Sequence, residues 1–553
     1  MWSQPPPPGP RETQPPLARM AGGVLASLAV LSSAGCRYTV EPTADDSTAA
    51  SQEVAKAVAT DERPGEVPLH EMARRHAGFA GFFFEDGIPV VLITDIEQAD
   101  LARDAFASTQ DQFFDRSLGV IGAVEVRPAK YTFAQLAEWR DALAERVFRI
   151  DGVVSLDLDE RGNRIDVGLA DQGSGERVRA QFTALGLPED AAQTQIRGRF
   201  KLDVPTPSNA AAVRWRSDDG TVNDTIRPVV GGLVLWRPGL VVPCTLGFNF
   251  MFDTSTTMYA LTASHCTPDL WEFDGEDFFQ PGSGAANLIG AEAIDPDPDS
   301  CGAYRCRKSD AAAIEYGISD HLFGHVVRTT SRHPTQGSVT IDTSKPRMRI
   351  KYEALAWTGW TVDKIGRSTG WTYGTVEKTC EDVILDLLIH KCQTIATYGH
   401  EVGDSGSPVF IWQDSTVQLV GVHAGHDGED MAMFSTIGNI EAEFGAIETS
   451  YGVFIDGPGG AWTEGTYEWE AMPSPTAGSH SYQWRVQYIA TGQWQTLGTA
   501  KTQQLYIDAN DGHLLLEVTA SANFGQTGLS AMHERVISNN IGGGPEQPAR
   551  DRR

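Results

Sequence analysis

Leu261-Thr262-Ala263-Ser264-His265-Cys266 and Gly403-Asp404-Ser405-Gly406-Ser407-Pro408 stand far apart in the chain, yet together they describe one piece of chemistry. The first is an apolar, strand-like run that ends on a histidine beside a cysteine. The second sets a serine between glycines, in a turn tight enough to expose the hydroxyl and to aim backbone N–H groups past it. A hydroxyl is a weak nucleophile at neutral pH and needs an adjacent base, and imidazole titrates in the useful range. Between the two segments, Ser309-Asp310-Ala311-Ala312-Ala313-Ile314 places a carboxylate at the head of an apolar strand, where it can orient that imidazole. The expected arrangement has Ser405 attacking an acyl carbon, His265 taking and returning the proton, and Asp310 fixing the tautomer. The backbone N–H groups of Gly403 and Ser405 are the expected donors to the developing oxyanion.

Together with Gly366-Arg367-Ser368-Thr369-Gly370, these segments resemble the chymotrypsin-like (trypsin-fold) serine proteases, in which the order is likewise His, Asp, Ser. The likeness is to the secreted bacterial branch that holds the streptogrisins and α-lytic protease, and it spans residues 229–450. It implies an all-β double barrel, endopeptidase activity on polypeptides through an acyl-enzyme, and no cofactor or metal. Ser264 departs from the alanine more usual there. The same resemblance puts the substrate pocket at Gly399 and His400 on one side and at His423, Ala424 and Gly425 on the other. No aspartate stands near Gly399, which disfavours a strict preference for basic residues. His423 occupies a place where glutamate-preferring relatives carry a histidine, so acidic and small apolar P1 residues both remain open. Ala424 lacks the hydroxyl with which relatives support the triad acid.

The resemblance also pairs Cys244 with Cys266, which leaves Cys301–Cys306 and Cys380–Cys392 as short local loops. Val229-Val230-Gly231-Gly232 is expected to be the first barrel strand. The alternative is a freed N-terminus that pairs with Asp404, but Pro228 makes cleavage there awkward.

A chain of 553 residues is too long for one core and suggests roughly three or four domains. Its net charge of −29 argues against nucleic acid and against a purely electrostatic hold on an anionic membrane. Residues 1–36 contain an apolar run too short to span a bilayer but suited to a signal peptide, starting from Met1 or Met20. Ser33-Ala34-Gly35-Cys36 is similar to a lipobox, so Cys36 is a candidate for lipidation, with simple secretion as the alternative. The remaining six cysteines suit an oxidising compartment. The expected location is extracellular or at the bacterial cell surface, as an outer-membrane lipoprotein if Cys36 is acylated.

Residues 37–65 are poor in large apolar groups and are expected to be a disordered tether. Residues 66–200 show a hairpin pattern around Asp86-Gly87, a helix over 98–108, and an amphipathic helix over 133–148. Two strands at 153–158 and 164–169 and a helix over 176–185 follow. This α+β module resembles the pro-regions of the same proteases, which implies an intramolecular inhibitor; an independent surface-binding module is the other reading. Residues 201–228 are expected to be a linker. Asp295, Asp297 and Asp299 are expected to be a solvated acidic loop rather than a calcium site. Residues 455–540 alternate as half-buried strands around Trp484 and suggest an immunoglobulin-like β-sandwich, with a disordered tail at 541–553. A second functional reading is a surface binding or adhesion protein whose protease domain is latent or blocked.

Overall fold

The computed structural model describes residues 63–109, 124–202, 220–302, 304–385, 388–428, 430–524 and 527–541. The signal-like segment with Cys36, the tether up to residue 62, residues 203–219 of the linker and the tail beyond 541 lie outside the described residues.

Residues 63–202 form a mixed α/β module in two halves. In the first, strands Phe79–Glu85 and Ile88–Ile93 pair antiparallel, and Glu125–Pro128 adds in parallel to the second. Asp86 and Gly87 both take positive φ (51° and 78°), as a two-residue hairpin of the right twist demands. Helices Val67–Arg75 and Ala99–Thr109 cover this sheet. In the second half, helix Phe133–Val147 opens with a capping box between Thr132 and Gln135 and buries Phe133, Leu136, Leu143 and Val147. It packs on strands Val153–Asp159 and Arg164–Leu169, followed by helix Gly175–Ala184 and strand Ala192–Ile196.

This module is not loosely attached. Ser155 and Leu156 pair with Val383 and Asp382, so its three-stranded sheet continues into the long hairpin Gly370–Leu385/Leu388–Ala396. Phe82 meets Trp357 edge-on at 5.3 Å and Phe84 stacks on Trp360 at 4.8 Å, merging the apolar cores. Between the sheets, the Lys378 ammonium lies 2.5 Å from Asp157 and 3.1 Å from Asp166, and Arg197 lies 3.1 Å from Glu381. Nearby, Arg63 lies 2.6 Å from Asp382.

Residues 229–448 are built from two β units. One is a six-stranded antiparallel path in the order Asp277–Phe279, Leu288–Ile294, Ala312–Tyr316, Tyr259–Thr262, Asn249–Phe252, Ile447–Glu448. The other closes on itself. Thr361–Gly366 pairs with Gly370–Leu385 and Pro408–Gln413, then Thr416–His426, Ala432–Thr436 and Leu388–Ala396 follow, and the last returns to Gly370–Leu385. Val229–Gly231 is a strand, parallel to His321–Val327. Three disulfides join Cys244 to Cys266, Cys301 to Cys306 and Cys380 to Cys392.

Beyond Tyr451, one sheet of Gly452–Asp456, Gly465–Ser474 and Thr502–Ile507 faces a second of Gly460–Ala461, Thr527–Asn539, Leu514–Phe524, His480–Tyr488 and Gln493–Gly498. Trp469, Trp484, Val486, Ile507, Leu516 and Val518 share one buried core between them. No described helix is long and apolar enough to cross a membrane.

Candidate active site

His265 lies in a single 3₁₀ turn, Ser264–Cys266, that caps strand Tyr259–Thr262 in the first β unit. Asp310 lies two residues before the start of strand Ala312–Tyr316, the antiparallel partner of strand Tyr259–Thr262. Ser405 comes from the other β unit, in the loop before strand Pro408–Gln413. Strand Cys244–Thr245 stitches the two together. The Thr245 N–H donates to the Ser405 carbonyl (2.8 Å), the Thr245 hydroxyl donates to the Gly403 carbonyl (2.8 Å), and the Thr262 hydroxyl donates to the Thr245 carbonyl (3.0 Å). The Cys244–Cys266 disulfide then anchors that strand to the histidine turn.

The three side chains form one line. Asp310 Oδ2 is 2.5 Å from His265 Nδ1, and His265 Nε2 is 2.7 Å from Ser405 Oγ. Asp310 Oδ1 also accepts from the His265 backbone N–H (3.1 Å), and the Asp310 N–H donates to the Ser435 hydroxyl (2.9 Å). Burial alone would raise the Asp310 carboxyl. The charge and hydrogen bond of His265, with smaller effects of His390 and Arg307, override it and hold the group at about 2. An acid so held stays ionised beside the imidazole and fixes which ring nitrogen carries the proton.

Gly403 and Gly406 both take positive φ (100° and 84°). A Cβ on Gly406 would meet the Thr245 carbonyl at 2.3 Å and the Thr262 hydroxyl at 2.4 Å, so only glycine lets this loop lie against the histidine strand. Among the described residues, neither the Gly403 nor the Ser405 amide donates to a protein acceptor. Asp404, between them, is satisfied by Lys364 Nζ (2.8 Å), the Thr369 hydroxyl (2.6 Å) and the N–H groups of Ser368 and Glu401. The alternative in which a freed N-terminus meets Asp404 is therefore set aside: a lysine already fills that role, and Val229 is held in a sheet.

Of the residues expected to shape the pocket, Gly399 donates its N–H to Pro334 (2.7 Å) and accepts from Thr372 (2.8 Å). The His400 ring lies 5.8 Å from that of His423 and 4.7 Å from that of His426, and Tyr398 Oη lies 3.1 Å from His423 Nδ1. Ala424 is buried among Phe200, Val383, Ile395 and Met433, and Gly425 pairs with Leu202. The end of the N-terminal module, Phe200 through Leu202, thus lies along the wall strand Thr416–His426. Ser405 is 0 % exposed and His265 6 %.

Several participants were not singled out from the sequence: Lys364, Arg307, Tyr398 and His390. Lys364 sits at an inward strand position, where an isolated lysine opposite an acidic loop is the signal that could have found it. Asp295 corrects an expectation. It is buried against Arg307 (2.8 Å) and Ser264 (2.7 Å), while Asp297 and Asp299 are exposed. Three alternating aspartates look alike in sequence, but only the first follows directly on strand Leu288–Ile294 and is carried inward by it. Among the described residues, no group of three or more His, Cys, Asp or Glu is arranged to hold a metal ion.

No protein-family model matches this chain, and no curated protein sequence matches it. Solved structures similar to part of it are bacterial chymotrypsin-like serine proteases. Protease A of Thermobifida fusca is 18% identical, over 40% of this chain and 98% of that one, with a TM-score of 0.29. A glutamic-acid-specific serine protease described as using a histidine triad in substrate binding is 21% identical, over 39% and 98%, with a TM-score of 0.29. The chymotrypsin of Cellulomonas bogoriensis is 20% identical, over 40% and 99%, with a TM-score of 0.28.

Proposed function

We propose that this protein is a secreted serine endopeptidase of chymotrypsin-like type, made as a proenzyme. The observation that carries this reading is the unbroken line from Asp310 through His265 to Ser405, at 2.5 and 2.7 Å, assembled from two β units. In it the Ser405 oxygen attacks the carbonyl carbon of a peptide while His265 Nε2 takes the hydroxyl proton. The oxyanion is held by the Gly403 and Ser405 N–H groups, His265 returns the proton to the leaving amine, and water then releases the acyl group by the same route. A preorganised pair of N–H donors contributes on the order of 10²–10³ in turnover per donor.

In this reading residues 63–202 are the inhibitory pro-region. The pairing of Lys201–Leu202 with Gly425 and His426 supports it, because added strands are how extended peptides are held at a sheet edge. The P1 residue is acidic: His400 stands ring to ring with both His423 and His426, and no aspartate is expected beside Gly399 to favour a basic residue. The C-terminal two-sheet unit is an immunoglobulin-like spacer or display module, and Cys36 is the point of lipid attachment at the cell surface.

One observation favours a second reading, a binding protein with a blocked hydrolase: Ser405 has no exposed surface. A fluorophosphonate probe separates the two. Labelling of Ser405 after cleavage between Leu202 and Val229, and not before, supports the proenzyme. A folded, cleaved protein that never labels supports the binder.

A further inference from the structure

Asp310 receives no support from the pocket wall, where Ala424 has no hydroxyl to offer. Among the described residues, its carboxylate accepts hydrogen bonds from His265 alone. Yet the loop that carries it must hold the carboxylate 2.5 Å from an imidazole that follows a different strand. A side chain on the far side of the pair does this. Arg307 ends strand Tyr304–Arg307 and is almost wholly buried, at 2 % exposure. Its Nη1 donates to the Ser264 hydroxyl (3.0 Å) and to Asp295 Oδ1 (2.8 Å), and its Nη2 donates to the Ala311 carbonyl (3.0 Å). Ser264 is the residue before His265, and Ala311 is the residue after Asp310. One rigid guanidinium therefore bridges the residues that flank the base and the acid, through a side-chain hydroxyl on one side and a backbone carbonyl on the other.

The surrounding groups complete the frame. The Ser264 hydroxyl in turn donates a hydrogen bond to Asp295 Oδ2 (2.7 Å), so its direction is fixed from both sides. Glu443, on helix Ile437–Phe444, lies 3.5 Å from Arg307 Nη2 and accepts from the Ser309 hydroxyl (2.5 Å) and the Lys308 N–H, pinning the two residues that lead into Asp310. A buried cation with two carboxylate partners is neutralised where it stands, and a planar fork fixes direction as well as distance, which an ammonium cannot do.

We infer that Arg307 is a positioning residue for the Asp310–His265 pair, acting through Ser264 on one side and Ala311 on the other, an inference that rests on the hydrolase reading above. It gives the serine at position 264 a purpose that an alanine could not serve. Arg307 touches no reacting atom, and its effect falls on the chemical step rather than on substrate binding. The charged and titratable groups facing it are Asp295, Glu443, Asp310 and, across Asp310, His265 and His390.

The test uses the full chain, cleaved between Leu202 and Val229, with active sites counted by fluorophosphonate so that unfolded protein drops out of the rate. Arg307→Met and Ser264→Ala are expected to lower kcat per counted site by about 10- to 100-fold, the scale of a small misplacement, with KM unchanged. Arg307→Lys, which keeps the charge but not the fork, is expected to recover only part of the loss. In Asp295→Asn the guanidinium loses a counter-charge, which disfavours the imidazolium at His265, so the acid limb of kcat/KM moves to lower pH. If Arg307→Met fails to fold, Arg307→Lys and Ser264→Ala decide the matter. Unchanged kcat per site in these variants, or a loss confined to KM, overturns the positioning role. A wild-type protein that neither labels nor turns over removes the hydrolase reading along with it, whereas normal wild-type turnover with unaffected variants removes only this inference.

Discussion

Lys364 and Asp404 form an ion pair with neither side chain exposed to solvent, Nζ to Oδ2 at 2.8 Å, one residue before the proposed nucleophile. Burial alone would raise the Asp404 carboxyl. The Lys364 charge and hydrogen bond, with that of Thr369, outweigh it and hold the group at about 2. Because this pKa is depressed, its contribution to stability is complete above the ordinary aspartate value of about 3.9 and is lost as pH falls toward 2. Lys364→Met leaves that carboxylate buried without a counter-charge, although its hydrogen bonds from Thr369, Ser368 and Glu401 remain. A destabilisation of about 3–5 kcal/mol is expected in denaturant titrations at neutral pH, shrinking in acid as Asp404 takes up a proton. Chemically blocking the new amino terminus of the cleaved protein should leave its turnover unchanged, since Asp404 already has its cation.

Ser405→Ala should abolish fluorophosphonate labelling and self-cleavage while the melting temperature stays within a few degrees of wild type. Loss of turnover on the order of 10⁶ in kcat is the scale expected for a nucleophile in such a relay. Self-cleavage persisting in the variant would move the nucleophile elsewhere.

Phe200 is buried beside Ala424 and Met433, just before the two residues that pair with the wall strand. Phe200→Ala removes the apolar anchor of that strand. Uncleaved protein carrying it should label faster than wild type, by about tenfold or more, because a large-to-small change at a buried aromatic costs on the order of 3–5 kcal/mol when fully core and less at an edge. Equal labelling time courses would show that the seating of Phe200 does not guard Ser405.

The contact between the N-terminal module and the long hairpin should weaken as pH rises. Burial lifts the carboxyls of Glu160, Asp166 and Glu381 above their ordinary values, and the ammonium and guanidinium of Lys378 and Arg197 only partly offset this for Asp166 and Glu381. A carboxyl raised in the packed state leaves the contact intact below its free value of about 4 and opposes it once pH climbs through the raised value. After cleavage, the module and the remainder are expected to co-elute in gel filtration at about pH 5 and to separate more readily at about pH 8. Glu381→Gln should flatten that difference.

Cys244→Ser with Cys266→Ser is expected to cost about 2–5 kcal/mol in unfolding experiments. The loss should fall on labelling rate as well, since the disulfide ties the Thr245 strand, and through it the Ser405 carbonyl, to the histidine turn.

His265, Asp310 and Ser405 could be read from the sequence because each sits in a short local pattern: an apolar strand ending, a strand beginning, a glycine-flanked turn. The hairpin at Asp86-Gly87 and the helix from Phe133 were legible for the same reason, as turn chemistry and period declare themselves within a dozen residues. Helix Val67–Arg75 was missed, since Leu69 and Met72 give only a brief apolar stripe behind Pro68. Lys364 and Lys378 were harder to read for a different reason. Each is a charge whose meaning depends on a carboxylate at least 40 residues away that non-local pairing brings next to it. Asp295 illustrates the limit: its neighbours Asp297 and Asp299 have the same residue type and spacing, and only Arg307 tells them apart.

The strand Lys201–Leu202 belongs to the same polypeptide as the wall it pairs with. In the proenzyme reading, a blocker carried on the same chain as its target acts at a local concentration that does not fall as the protein is diluted. In the same reading, one cut between Leu202 and Val229 would turn that first-order closure into a second-order encounter, and dilution alone would then release the strand. Secretion into a large volume would thereby serve as the trigger that a change in affinity would otherwise have to supply.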